Sequence, residues 1–541
     1  MGTIELEYSP TVPDLLSRAV RLFGDREYVV TDKERATFAE VDVAARHLAL
    51  KLVAAGVGKG TRIGACFSYG REWIVAWLAV NRIGAIYLPF STAYKPAELR
   101  QAVRHGDVHI LLVPSTLLGK DRLDFHEEAF PRLRSQSTRQ LSLTVAPYLR
   151  AVWVTGDASM PAWATPLVMS AGVTDELASA SAELLVQIES EVRPSDAAIS
   201  IYTSGTTAEP KGVIHTHGAL VRKAHSLVSV MEWGEEERVF CGMPFFWVGG
   251  LVMAVVPALD HGVTLLCLDR PEAERSLDLM EKEQATQLAG WPGVTGPIMR
   301  HPSISQRSIP ALARGVFAPA GSARTTNRQG GLGMTETLGP HTSTHLLETL
   351  SQGEHASCVG VPIESIEHKI VDPETGIEQP EGSSGTLLVR SYCLTIGLHK
   401  REREEVFTLD GWYDTGDRCY FKDGLLFFEG RLNEMIKTSG NNVAPPEVES
   451  VLVSAPDVAE AYVLGVPDSA RGEAVAAAVV PAAGATLEPD RLRERVRKEL
   501  SNYKVPRTIL VLSKDDVPTL ATGKVDRLAV KALLVAHAVE R

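Results

Sequence analysis

Cysteine is scarce in this chain. Six residues in 541 are cysteine, at positions 66, 241, 267, 358, 393 and 419, and no two form a C-x-x-C pair. Thiols this scattered argue against a disulfide framework and a C-x-x-C redox centre, and point to reduced thiols in a cytoplasmic setting. Positive charge is also short: 55 Lys and Arg stand against 67 Asp and Glu, a net charge of −12. That balance argues against a general binder of nucleic acid or of anionic membranes. Long apolar runs are missing as well. The most apolar stretch, GLVMAVVPALDHGVTLLCL (250–268), is interrupted by Asp260 and His261, so it reads as a buried helix and strand rather than a membrane span. The amino-terminal MGTIELEYSP has no basic start and no apolar core, so it is no signal peptide. Leu6 stands where a myristoylation signal needs Ser or Thr. No internal repeat or low-complexity tract is visible.

What is present is globular in proportion, 45% hydrophobic and 23% charged. The length exceeds one ordinary core, so two or more domains are expected; a homo-oligomeric form is left open. Residues 37–55 predict an amphipathic helix, capped by Thr37 with Glu40 closing a capping box, and with Val41, Ala44, Ala45 and Leu48 on one face. RIGACF (62–67) predicts a buried strand. REWIVAWLAVNRIGAIYLPF (71–90) predicts a helix, a stop at Gly84 and a second strand. Such alternation predicts parallel α/β layers. Residues 115–190 are less patterned, and LASASAEL (177–184) resembles a surface connection. From position 431 the texture changes. PPEVESVLVS predicts a helix with Val448, Val451 and Leu452 on one face, AYVLGV and AVAAAVV predict strands, and EPDRLRERVRKELSNY predicts a helix with Leu492, Val496 and Leu500 inward. The expected fold class is α/β: a large, multi-layered amino-terminal domain (1–430), a hinge (431–433) and a small, mobile α+β carboxy-terminal domain (434–541).

Five stretches carry chemistry. In YTSGTTAEPKGV (202–213), Thr203, Ser204, Thr206 and Thr207 offer hydroxyls, Gly205 and Gly212 allow close backbone approach, and Lys211 is a mobile charge. Lys211 is followed by Gly, not Ser or Thr, so this is not the common phosphate loop. A polyphosphate clamp and a plain polar surface loop are both open at this point. GMTET (333–337) adds Thr335, able to meet a phosphate, and Glu336, able to hold Mg²⁺. YDTGD (413–417) places Asp417 in a turn, where it could accept from ribose hydroxyls. GRLNEMIKTSGNNVAPPEVE (430–449) supplies Arg431, Lys437 and a turn at Gly440, and PTLATGKVDR (518–527) supplies Lys524.

Together and in this order, these stretches resemble the core motifs of the AMP-forming adenylating superfamily: acyl-CoA synthetases, peptide-synthetase adenylation domains and beetle luciferases. The resemblance covers nearly the whole chain and is nearest to a free-standing CoA ligase for a fatty or other bulky acid. It implies ATP and coenzyme A as co-substrates, Mg²⁺ as cofactor and a small carboxylic acid as partner. Thr203, Ser204, Gly205, Thr206, Thr207 and Lys211 would clamp the β- and γ-phosphates, and Thr335 would contact the α-phosphate. Glu336 would hold Mg²⁺, Asp417 and Arg431 the ribose, and Gly331 and Leu332 would lie beside the adenine. Lys524 would act while the acyl-adenylate forms. Asn433 would be the hinge about which Lys437 and Gly440 replace Lys524 for the thiol step. MPFFWVGGL (243–251) and LAGWPGVTGPIM (288–299) resemble acyl-pocket segments, with Phe245, Phe246, Trp247, Gly249 and Trp291 as lining. For Trp247, pocket wall and core packing are both open.

The chain departs from the family at Ala208, which replaces a loop glycine, at Leu332, which replaces an aromatic residue, and at Asn433, which replaces Asp or Lys. GSARTTNRQGGL (321–332) is short and polar where the family has a helix and a buried strand. It is expected to form an irregular, mobile loop that weakens nucleotide affinity. His215 and His217 read as surface or phosphate-adjacent residues. His341 and His345 could share a helix face, with no third zinc ligand evident. Rival readings are an acyl-AMP ligase serving a carrier protein, luciferase-like oxidation, and a non-catalytic adenylate-binding protein.

Overall fold

The computed structural model describes residues 4–136, 140–156, 159–169, 178–203, 210–231, 233–234, 236–290, 292–312, 331–344, 358–431, 435–482, 484–519 and 525–539. The chain divides into two compact units. Unit 1 comprises Met1–Thr92, Val103–Tyr202 and Gly212–Gly430. Unit 2 comprises Ala93–Ala102, Thr203–Lys211 and Arg431–Arg541.

Among the described residues, three large sheets and two short two-stranded ones build unit 1. The largest, of eight strands, has a parallel centre in which Arg62–Ala65 pairs with Ile86–Pro89 and with Ile110–Pro114. Ala151–Thr155 and Ala164–Leu167 extend it. A five-stranded sheet runs Gln287–Ala289, Arg238–Cys241, Thr264–Leu266, Glu27–Val30, Arg35–Thr37. A six-stranded sheet in the second half of the unit includes Ile366–Val371, Gly385–Ser391 and Tyr413–Lys422, paired antiparallel.

Helix Phe38–Ala54 starts as predicted, with Thr37 and Glu40 in a reciprocal capping box and Val41, Ala44, Ala45 and Leu48 buried. Helix Arg71–Arg82 is buried from Trp73 to its end. A charge can end such a helix because the Arg82 guanidinium bonds Asp42 and Glu189, both at 2.5 Å. The apolar 250–268 stretch is helical over Leu251–Val255 and Val256–His261, turns at Gly262 in the left-handed region, and continues as strand Thr264–Leu266. Among the described residues, no helix is long and apolar enough to cross a membrane.

The 177–184 surface connection is corrected: Ala178–Ser190 is a helix. Alanine and serine hide its amphipathic period, yet alanine is the strongest helix former, and the helix docks through fully buried Leu185.

In unit 2, strands Val458–Asp468 and Gly472–Pro481 form a long hairpin, and Thr508–Val511 adds in parallel. Helices Pro445–Val453 and Pro489–Glu499 cover one core, into which Val448, Leu452, Leu492, Val496 and Leu500 project. Val530 and Leu534 of helix Arg527–Val539 enter a second cluster.

Candidate active site

Gly333–Met334 pairs antiparallel with Gly339–Pro340, and between them Thr335–Thr337 makes one turn of 3₁₀ helix. The chain reverses at Leu338, φ 52°, followed by Gly339 at φ 89°. A left-handed leucine costs about 1–2 kcal/mol; its complete burial offsets this. Leading into the turn, a Cβ at Gly331 would lie 1.6 Å from the Thr342 carbonyl oxygen, so only glycine fits there. Leu332 is buried. Its N–H donates to Thr342 Oγ1 (2.8 Å) and its carbonyl accepts from His341 N–H (2.8 Å).

Buried polar groups hold the turn. His215 Nε2 lies 2.8 Å from the Thr335 carbonyl oxygen, so it carries the proton and donates. Burial pushes the imidazole down to about 4, so it is neutral at pH 7. Thr395 N–H donates to the Glu336 carbonyl at 2.8 Å, and Tyr413 hydroxyl donates to Glu336 Oε1 at 3.1 Å. Glu336 itself is 5% exposed. Below, the fully buried Lys223 donates to the Pro340 carbonyl, and His341 Nδ1 meets His368 Nε2 at 2.8 Å.

Two histidine readings are thereby corrected. His215 and His217 are not surface residues; both are fully buried. His215 does support the candidate phosphate residue Thr335, whereas His217 Nδ1 accepts Val12 N–H at 3.2 Å, far along the chain. His341 is not helical, because Gly339 and Pro340 put it between two short strands. His345 lies outside the described residues.

Asp417 is 1% exposed and sits in strand Tyr413–Lys422, not in a simple turn. The register shifts there: Thr386 opposes Arg418 while Leu388 opposes Asp414, so the YDTGD segment bulges, with Gly416 at φ 68°. Asp417 and Tyr413 thus share one strand. Thr203 ends strand Ala197–Thr203 and Lys211 begins strand Lys211–Thr216, both half-buried. Arg431 ends strand Leu425–Arg431. In unit 2, Lys437 lies exposed on strand Ile436–Thr438, with its N–H bonded to Glu473. Ser439 (φ 50°) and Gly440 (φ 81°) make the tight hairpin turn that follows. Ser204, Gly205, Thr206, Thr207, Lys524, Asn433 and Trp291 lie outside the described residues, as does 321–330 of the short segment.

In the candidate acyl segment, Phe245 is fully buried, with its ring 5.5 Å from Tyr69 and 5.6 Å from Trp73. Phe246 lies 6.1 Å from Tyr69 and meets Trp247 edge-on at 5.6 Å. Trp247 and Gly249 are half-buried, at the start of the short helix Val248–Gly250. Sequence reasoning missed the supporting roles of His215, Thr395, Tyr413 and Lys223. Only HTH beside the cradle and Tyr413 within YDTGD were visible signals.

The arrangement presents a hydroxyl and an anchored carboxylate on one rigid turn, apt for a phosphate and a hard cation. Comparison with known proteins places the chain in a family. A family model described as AMP-binding enzyme matches residues 16–399, and its carboxy-terminal companion matches 447–524. The chain is 28% identical to the oxalate–CoA ligase of Arabidopsis thaliana, over 96% of this chain and 98% of that protein. It is 26% identical to a mitochondrial medium-chain acyl-CoA ligase of Danio rerio, over 96% and 87%. Among solved structures it is similar to an amide bond synthetase of Marinactinospora thermotolerans, with a TM-score of 0.77 and 25% identity over 96% of this chain and 99% of that one.

Proposed function

The chain belongs to the AMP-binding enzyme family, and from that premise we propose that it is an AMP-forming acid–CoA ligase for a fatty or other bulky apolar acid. The observation that carries this reading is the turn Thr335–Glu336, fixed from several sides by buried polar partners. Such support preorganises donors where charge develops.

The chemistry follows from the substrate. A carboxylate is a poor electrophile because an oxide would have to leave. Attack of its oxygen on the α-phosphorus of ATP expels pyrophosphate and gives a mixed anhydride with AMP. The thiolate of CoA then attacks the acyl carbon, and AMP leaves. In this reading Thr203, Lys211 and the loop between them bind the outer phosphates, Thr335 the α-phosphate, and Asp417 with Arg431 the ribose. Glu336 is a single hard carboxylate oriented by Tyr413. That donor set fits Mg²⁺, which keeps phosphate and water oxygens around one or two carboxylates and neutralises phosphate charge. Lys524 serves adenylation and Lys437 serves thioester formation. Phe246 and Trp247 favour an apolar acid, and buried, unpaired cysteines fit the cytoplasmic setting.

The acceptor is the open element, since a protein of similar structure is an amide bond synthetase. CoA is proposed because the two relatives above are CoA ligases. Pyrophosphate release across a panel of acids, with and without CoA, tests the reading. Apolar acids are expected to release pyrophosphate, and CoA to yield thioester. Release without thioester would favour a carrier protein or an amine as acceptor, and no release with any acid would favour a binding protein. Lys524→Ala is expected to slow adenylation by about 10²–10³ while sparing thioester formation from supplied acyl-AMP. Equal loss in both steps would refute the division of labour.

A further inference from the structure

Where the helices Val12–Phe23, His217–Met231 and Val256–His261 of unit 1 meet, three metal-ligating side chains converge away from the Thr335–Glu336 turn's own contacts. Asp260 Oδ2 lies 2.6 Å from His225 Nδ1 and 3.1 Å from His261 Nδ1. The two imidazole rings are 5.6 Å apart. The carboxylate is 1% exposed, while the His225 and His261 side chains reach solvent at 37% and 27%. A buried carboxylate flanked by two solvent-reaching imidazoles is unlike a surface acidic cluster. One imidazole would suffice for an ordinary ion pair.

We propose that His225, Asp260 and His261 form a binding site for Zn²⁺, with Nδ1, Oδ2 and Nδ1 as ligands and water as the fourth. In a tetrahedral zinc site, ligand atoms stand about 3.3 Å apart, since each bond is about 2.0–2.1 Å. The three atoms already lie within 4.8 Å of one another, so small rotations admit the ion. The surroundings match a ligand shell. Tyr8 hydroxyl donates to the other carboxylate oxygen, Oδ1, at 2.9 Å, as partners outside a metal site orient its ligands. Arg18 bonds the Asp260 main-chain carbonyl at 2.7 Å and approaches Oδ1 at 3.5 Å, away from the oxygen that faces the imidazoles. Asp260 and His261 end their helix, where the backbone dipole favours a cation. Facing an acceptor-only carboxylate oxygen, His225 Nδ1 donates its N–H to Asp260 Oδ2; Zn²⁺ would displace that proton, as metal binding releases protons from its ligands, and each imidazole would then bind through Nδ1 with its proton on Nε2. The ion would tie helices His217–Met231 and Val256–His261 together.

The test uses the full-length chain, stripped with chelator and desalted. Zn²⁺ added alone is expected to raise Tm by mass action, and Co²⁺ to give the visible bands of a four-coordinate nitrogen–oxygen site. His225→Gln and His261→Gln should each weaken Co²⁺ binding by about 10-fold or more and remove most of the Zn²⁺-dependent rise. In the unmutated chain, Zn²⁺ should protect His225 and His261 from diethyl pyrocarbonate, read by peptide mass. That arm needs no variant to fold. Unchanged labelling of both histidines, or a Tm rise equal in the variants, would overturn the proposal.

Discussion

Two lysines, one in each unit, are equally hidden and behave oppositely. Lys223 in unit 1 is 0% exposed and Lys504 in unit 2 is 4% exposed. Lys223 bonds a main-chain carbonyl, that of Pro340. Burial lowers its pKa. Lys504 bonds Glu98 at 2.7 Å and Glu447 at 2.8 Å, all within unit 2. There too burial would lower the pKa, yet Tyr503, Glu98 and Glu447 outweigh it and push it up. Burial is common to both; the neighbours decide whether the charge is tolerated or fixed.

The sharpest way to break this contrast is Lys504→Met. It leaves two carboxylates buried without their cation, and is expected to cost about 3–5 kcal/mol in chemical denaturation. Adding Glu98→Gln and Glu447→Gln should recover much of it. A small loss in the single variant would show that water, not Lys504, balances those acids. Next in size is Lys223→Met, which strands one carbonyl acceptor and is expected to cost about 1–3 kcal/mol. Because Pro340 pairs with Gly333 beside the Thr335–Glu336 turn, acyl-adenylate formation should fall as well. Unchanged adenylation would make Lys223 a stability residue only.

Buried histidines of unit 1 extend the comparison to pH. Burial holds His215 and His368 down to about 4, against an ordinary value of 6.5. The unfolded chain therefore binds more protons between pH 4 and 6.5, and stability should rise with pH across that window. Each such imidazole contributes at most about 1.4 kcal/mol per pH unit. His368→Gln should flatten the rise, and an unaltered slope would exclude it as a source. The smallest effect belongs to an exposed lysine. Lys514 pairs with Glu460 but is 65% exposed, so Lys514→Ala should cost about 0.2–1 kcal/mol and less in high salt. A loss matching that of Lys504 would end the claim that burial sets the stakes.

The same contrast shows what was legible. Local devices were: the Thr37 capping box, the Gly84 stop and the inward Leu492, Val496 and Leu500 each depend on residues a few positions apart. The YDTGD bulge was not, because a register shift belongs to two strands together. The helix at 178–190 was obscured by its short alanine and serine side chains. Thr335 and Glu336 were named as candidates from their motif, but what grips them was invisible.

By itself the sequence determined the chemistry on offer: hydroxyls and glycines in the cradle, a Thr–Glu pair, an aspartate, and lysines in a separate texture near the carboxy terminus. Tertiary structure alone decided which groups are buried and what holds them. His215 meets Thr335 across 120 residues, Lys223 meets Pro340 across 117, and Glu98 meets Lys504 across 406. The reason is physical. A polar group's protonation and cost depend on the solvent it loses and the partners it gains, and both are set by segments that share no neighbourhood along the chain.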